Sequence, residues 1–308
     1  MSDATNITGS RLSGANPNKS GSSRGIRRLG AAPYLQAVPL ALILFVFLFI
    51  PIVTIVVVSF WDYDFARIIP DFVLTNYEET LRSSVTWRIY LNTLRYAAIV
   101  WAITVLVGFT AAYFLAFHVR SLSIQIVLFL LCTVPFLTSN IIRMISWIPF
   151  LGRNGLLNSA LLEIGAIDAP LEFLLFSDFA VILAMVHLYV LFMVVPIFNT
   201  LMRIDRSLVE AAHDAGASGW QTLTNVIIPL AKPGIAIGSI FVVTLVMGEF
   251  ITVRFMSGGQ SASVGLMMSN QISLLQYPAA AANAVILLIT VLFIVAAILR
   301  VVDIRKEL

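Results

Sequence analysis

Charge is what this sequence has least of. Asp, Glu, Lys and Arg together make up 11% of its 308 residues, where a water-soluble domain carries about 25%. The shortage excludes an ordinary soluble globule, because too few charged side chains remain to cover one. The net charge of +3 is small, so no nucleic-acid partner is expected, and the placement of charge says more than its sum. Cysteine occurs once, as Cys132 in an apolar run. No disulfide can form within the chain, and the residue reads as a small packing side chain. The three histidines, His118, His187 and His213, stand apart without ligand-spaced neighbours, so no metal site is expected. No G-x-x-x-x-G-K-[ST] stretch occurs and no catalytic constellation is visible. The chain is therefore not expected to be an enzyme, nor to hold a cofactor or ATP of its own.

What fills the space is apolar. Hydrophobic residues make up 59% of the sequence, and the mean hydropathy is +0.96. Such a surplus has to face lipid. Six runs, at about 34–60, 89–117, 123–147, 179–201, 235–256 and 279–302, match or exceed the ~20 residues that a crossing helix needs. The expected fold is an all-α membrane protein with six transmembrane helices. Pro135 lies inside the third run. Residues 1–30 are rich in Ser, Gly, Asn and Arg and are expected to stay disordered; residues 31–308 then form the transmembrane domain. Arg24, Arg27 and Arg28 precede the first run, but no small-residue cleavage site follows, so that run is expected to be an uncleaved span. Between the runs, a short amphipathic helix is expected near Thr75–Leu81. Asn154-Gly155 can turn the chain, Asn158 can cap a helix over 159–165, and a Gly/Ser-rich loop is expected between the fifth run and Pro278.

Orientation follows from Lys and Arg, which favour the cytoplasmic side. Six spans put the N-terminal tail, the 118–122 turn, the 203–234 loop and the C-terminal tail together. Those segments hold Arg11, Lys19, Arg24, Arg27, Arg28, Arg120, Arg203, Arg206, Lys232, Arg300, Arg305 and Lys306. The opposite loops hold Arg67, Arg82, Arg88 and Arg153. Both termini and the 203–234 loop are therefore expected in the cytoplasm.

That loop is the most informative stretch. Ser207 with Glu210 three residues later reads as a capping box, with Asp205 competing for the same role. Leu208, Ala211, Ala212 and Ala215 follow at helical spacing. Gly216 can stop the helix in a left-handed conformation. Ser218 and Gln221 repeat the capping pattern and start a second helix. Glu210-Ala211-Ala212, then Gly216, then Val226-Ile227-Ile228-Pro229 resembles the EAA loop of ABC importer permeases, with its spacing kept throughout. The Leu151–Asn158 stretch, LGRNGLLN, and Gly248-Glu249-Phe250 are similar to the spermidine/putrescine branch of those permeases.

The resemblance implies a type I ABC importer permease fold with a cytoplasmic EAA-type coupling helix. It implies a bacterial inner-membrane translocation subunit for a small organic solute, most readily a polyamine such as spermidine or putrescine. Two ATPase subunits would bind the ATP and magnesium and dock on the 203–234 loop through Glu210, Ala211, Ala212, Asp214 and Gly216. A second permease, usually a different one, and an external solute-binding protein would complete the assembly.

Candidate pathway residues lie in or beside the runs. Glu249 is an intramembrane carboxylate, which costs energy unless paired or watered. It can meet a cationic solute, or pair with Arg143 or Arg254. His187 can bind solute or hydrogen-bond a neighbouring helix. Tyr189, Trp87, Tyr90, Trp147 and Phe150 can face an amine through cation–π contact, while an interfacial belt also accounts for Trp87 and Trp147. Arg95, Arg143 and Arg254 can snorkel or pair. Two alternatives stay open: a permease for a non-polyamine solute, and a stand-alone secondary transporter that uses Glu249 as an ion site.

Overall fold

The computed structural model describes residues 32–64, 67–119 and 121–302. The expected disordered tail 1–30 lies outside them, as do Arg11, Lys19, Arg24, Arg27, Arg28, Arg120, Arg305 and Lys306.

The chain divides into two units, Met1–Ile50 and Pro51–Leu308. The described part of the first holds α1 (Ala32–Leu44) and a π-helical turn at Phe45–Phe49, after which α2 (Ile50–Val58) begins. In the second unit a small antiparallel hairpin, β1 (Asp62–Asp64) with β2 (Arg67–Ile69), follows α2. Then come α3 (Thr75–Arg82), α4 (Ser84–Tyr113), α5 (Leu122–Thr133), α6 (Asn140–Leu151) and α7 (Leu156–Glu163). The rest are α8 (Asp178–Leu201), α9 (Arg206–Asp214), α10 (Gly219–Thr222), α11 (Ile228–Met247), α12 (Ile251–Met256), α13 (Val264–Ser273) and α14 (Tyr277–Val301).

Among the described residues, five continuous helices are long and apolar enough to cross a membrane: Val38–Val58, Ser84–His118, Asp178–Leu201, Gly219–Met247 and Tyr277–Val301. The expected third span is broken. Its apolar run becomes α5, a 3-10 turn at Val134–Leu137, and α6. Pro135 brings no amide hydrogen to the helical ladder, and Ser139 is extended at ψ 141°, so the run folds as two short helices.

The fifth span differs at both ends from the expected 235–256. It starts at Gly219 and runs through Pro229 and Pro233. A π-helical turn at Leu223–Ile227 stands just before Pro229. The wider turn gives the proline ring room against the preceding carbonyls, so the helix continues instead of stopping. At the other end the helix stops at Met247, not at Met256. The expected loop up to Pro278 also contains a helix, α13, whose Ser263 cap accepts from the Leu266 N–H at 3.2 Å.

The core sits where α4, α8 and α11 pack on one another. Tyr96, Val100, Met185, Met193, Ile197, Val242 and Met247 are fully buried there. Packing is close because α11 offers glycine to α8. A Cβ on Gly234 would lie 2.7 Å from the Pro196 carbonyl, and one on Gly238 would lie 3.1 Å from the Met193 Cα. Small residues at such crossings let backbones approach where lipid supplies no hydrophobic drive. Apolar side chains elsewhere stay bare, Phe293 at 76% and Leu137 at 83% exposure among them, as a lipid-facing surface requires.

Candidate functional site

Three places carry the residues singled out in the sequence. The first is the hairpin of α9 and α10. Asp205, not Ser207, caps α9: its carboxylate accepts from the Ser207 N–H at 2.9 Å. The expected Ser207–Glu210 box is therefore absent. The short Asp205 side chain sits at the extended position before the helix, where a cap must be, while Ser207 is already inside. That N–H holds the Asp205 carboxyl below the ordinary carboxylate range. Gly216 does end the helix, at φ +81°. The Ala217 N–H donates to the Ala212 carbonyl at 3.0 Å and the Gly216 N–H to that of His213 at 2.9 Å. This is the paired arrangement that a left-handed C-terminal residue permits. The Ser218–Gln221 capping box is present and starts α10. Helix α9 has no buried residue. Glu210, Ala211, Asp214 and Gly216 are exposed, and Ala212 is half-buried. Leu208 and Trp220 stand out at 48% and 72% exposure.

The second place is the end of the fifth span. Glu249 was expected inside that span; it lies instead in the break Gly248–Phe250 between α11 and α12. The break lets the carboxylate turn back on the next helix. One Glu249 oxygen accepts from the Thr252 N–H at 2.8 Å, and the other accepts from the Tyr189 hydroxyl of α8. The side chain is 9% exposed. Neither expected cation pairs with it. Arg254 donates to Asn270 at 3.2 Å and Arg143 to the Thr138 carbonyl at 2.9 Å. A buried carboxylate thus rests on a backbone N–H and a phenol, both charge-assisted donors.

The helix stops at Gly248, and the glycine in close contact with this break is Gly265 of α13. A Cβ there would meet the Gly248 carbonyl oxygen at 2.7 Å and that of Glu249 at 2.9 Å. Ser263 also donates to the Glu249 carbonyl at 2.8 Å. Replacing Tyr189 by Phe should strip one buried carboxylate oxygen of its donor. The expected cost is about 1–3 kcal/mol, read as a lower melting temperature of the purified protein.

The stretch after α12 is sewn to the N-terminal half of α4. Asn92 donates to the Ala262 carbonyl at 2.9 Å, and the Val264 N–H donates to the Thr93 hydroxyl at 3.0 Å. Asp178, at the start of α8, accepts from Arg95, Tyr96 and Ser261. Arg95 therefore pairs. The sequence reading passed over Asp178, Tyr96 and Ser261, because nothing local marks one carboxylate as the meeting point of segments more than 80 residues apart. Asn158 does not cap a helix. It lies inside α7, fully buried, and bonds the Gly152 carbonyl and both backbone groups of Leu171 at 2.8–3.2 Å.

The third place is a 270 Å³ pocket on α6 and α8, lined by Arg143, Ser146, Trp147, Phe150 and His187. The Trp147 indole N–H donates to His187 Nδ1 at 3.2 Å, and the two rings meet edge to face. His187 thus bonds a neighbouring helix, and Trp147 reaches α8 through that contact. Trp87 donates to the Leu81 carbonyl at 2.8 Å and stays half exposed. Of the four expected pathway residues, Glu249 and Tyr189 hydrogen-bond, and Arg143 and His187 share the pocket.

Residues 104–307 match the family described as binding-protein-dependent transport system inner membrane component. The spermidine/putrescine transport system permease protein PotB of Escherichia coli K12 is 35% identical over 251 residues, covering 80% of this chain and 89% of that one. Its counterpart in Salmonella typhimurium SL1344 is 34% identical over 248 residues, covering 80% and 85%. A bacterial alginate ABC transporter, solved with an alginate pentasaccharide-bound periplasmic protein, shares the fold at a TM-score of 0.67 and 17% identity, covering 87% of this chain and 92% of that one. This chain belongs to the family of binding-protein-dependent transport system inner membrane components and is a multi-pass permease subunit of an ABC importer.

Proposed function

We propose that the chain is one of two permease subunits in an ATP-driven importer of a small organic amine of the polyamine class. Two ATPase subunits bind the ATP and magnesium. A second, different permease and an external solute-binding protein complete the assembly. Both termini and the 203–234 loop face the cytoplasm, in keeping with Arg203, Arg206, Lys232 and Arg300 on that side. The 1–30 tail and the 31–308 domain are separate parts of this reading.

The observation that carries the reading is the α9–α10 hairpin. It packs on the core through Val209, holds its angle at Gly216, and presents Leu208 and Trp220 as exposed side chains. An exposed tryptophan on a rigid hairpin is the kind of side chain that anchors an interface. Glu210, Ala211, Ala212, Asp214 and Gly216 form the coupling surface in this account, and Glu249 with Tyr189 marks the pathway end.

The test is ATP-dependent uptake of labelled putrescine and spermidine by the complex reconstituted with its ATPase and binding protein. Trp220→Ala should reduce copurification of the ATPase about tenfold or more, since truncating an interface anchor costs upward of 1–2 kcal/mol. Gradient-driven uptake by the chain alone would overturn the proposal. So would labelling of residues 205–225 by an impermeant reagent from outside intact cells.

A further inference from the structure

The α6–α8 pocket holds hydrogen-bond donors and no free acceptor of matching charge. Arg143 is a guanidinium on α6, in the apolar run expected to form the third span, where charge is retained for a use or a partner. Among the described residues no carboxylate lies within 4.0 Å of it. One Nη donates to the Thr138 carbonyl, the Phe136 ring lies 5.6 Å away, and the buried Nε has no partner. His187 Nδ1 accepts the Trp147 indole proton, so the ring's own proton sits on Nε2 as a further donor. Ser146 spends its hydroxyl proton on the Ile142 carbonyl at 2.8 Å. The acids on or beside α8 are already taken: Glu249 has a donor on each oxygen, and Asp178 accepts from Arg95, Tyr96 and Ser261.

An ammonium group finds no anion in this pocket, whereas a carboxylate finds a planar fork and an imidazole N–H beside aromatic walls. We propose that the Arg143–His187 pocket is a carboxylate subsite, which extends the cargo of this permease from amines to amines that also carry a carboxylate. The proposal takes α6 and α8 as pathway-lining, as the importer reading does.

The two probes differ by one group on the same four-carbon chain: putrescine carries an ammonium where 4-aminobutanoate carries a carboxylate. Equilibrium binding of each radiolabelled probe is measured on the full-length chain, with the subunits that copurify, in nanodiscs without binding protein. Wild type should bind 4-aminobutanoate. Arg143→Gln should weaken that binding about tenfold or more, the scale of a lost bond between charged groups, and leave putrescine unchanged or tighter. Arg143→Lys keeps the charge, loses the fork and should fall between. If Arg143→Gln fails to fold, Arg143→Lys decides: a several-fold loss confined to 4-aminobutanoate supports the subsite, and equal behaviour of the probes sinks it. The proposal is also overturned if wild type does not bind 4-aminobutanoate, or if Arg143→Gln weakens both probes alike or neither. Failure of ATP-dependent putrescine uptake by wild type would instead count against the importer reading, because that assay does not involve Arg143.

Discussion

Replacing Gly216 with valine should cut ATP-dependent uptake about tenfold or more while the spans stay folded. The residue sits at φ +81°, and beyond its chain neighbours no atom lies within 4 Å of the position a Cβ would take. The obstacle is therefore the backbone alone: a left-handed residue with a Cβ costs roughly 1–2 kcal/mol, and a β-branched one is a clear outlier there. Valine would pull the chain back toward negative φ and break the two bonds that close α9 on Ala212 and His213. The angle between α9 and α10 would change, and with it the fit to the ATPase. Asparagine tolerates the left-handed region, so Gly216→Asn should keep most of the uptake and Gly216→Ala should fall between. Uptake in Gly216→Val within twofold of wild type, with normal complex yield, would remove the hairpin from the coupling path.

The second large effect is expected at Gly265. A valine there would drive its side chain into the Gly248 and Glu249 carbonyl oxygens and the Glu249 carbonyl carbon, 2.7 to 3.1 Å from the Cβ position. All three are backbone atoms and cannot swing aside. Overpacking of this kind costs about 1–3 kcal/mol, and the displaced break would lose the Tyr189 and Thr252 donors to Glu249. Uptake and melting temperature should both drop. Gly248→Ala makes the contrast. Its φ is −91° and its Cβ would meet nothing nearer than 4.0 Å, so it should be close to neutral. Equal effects of the two substitutions would mean that the break is not held by α13.

The large apolar runs were readable because the membrane sets a length that composition alone reveals. The Gly216 turn and the Ser218 cap were readable because each is decided within four residues. What escaped depends on distant partners. Glu249 looked like the middle of a span, since the apolar run continues through Ile251–Met256; the stop comes from Gly265 and Ser263 pressing on and bonding to the backbone there. Helix α13 looked like a loop because Gly and Ser dominate its approach, and its cap shows only once Ser263 is fixed. The third run hid its break because a lone proline is tolerated in many crossing helices. The choice of Asp205 over Ser207 turned on one residue of register, which pattern alone does not resolve.

The continuity of Gly219–Met247 has a mechanical result. Its 29 residues make a shaft about 43 Å long at 1.5 Å per residue, with one end in the hairpin and the other at the Glu249 break. A rotation of about 5° at the near end would sweep the far end through an arc of about 4 Å. That exceeds the reach of any hydrogen bond. The carboxylate's grip on Tyr189 is thus something a modest torque applied from the hairpin could open and close.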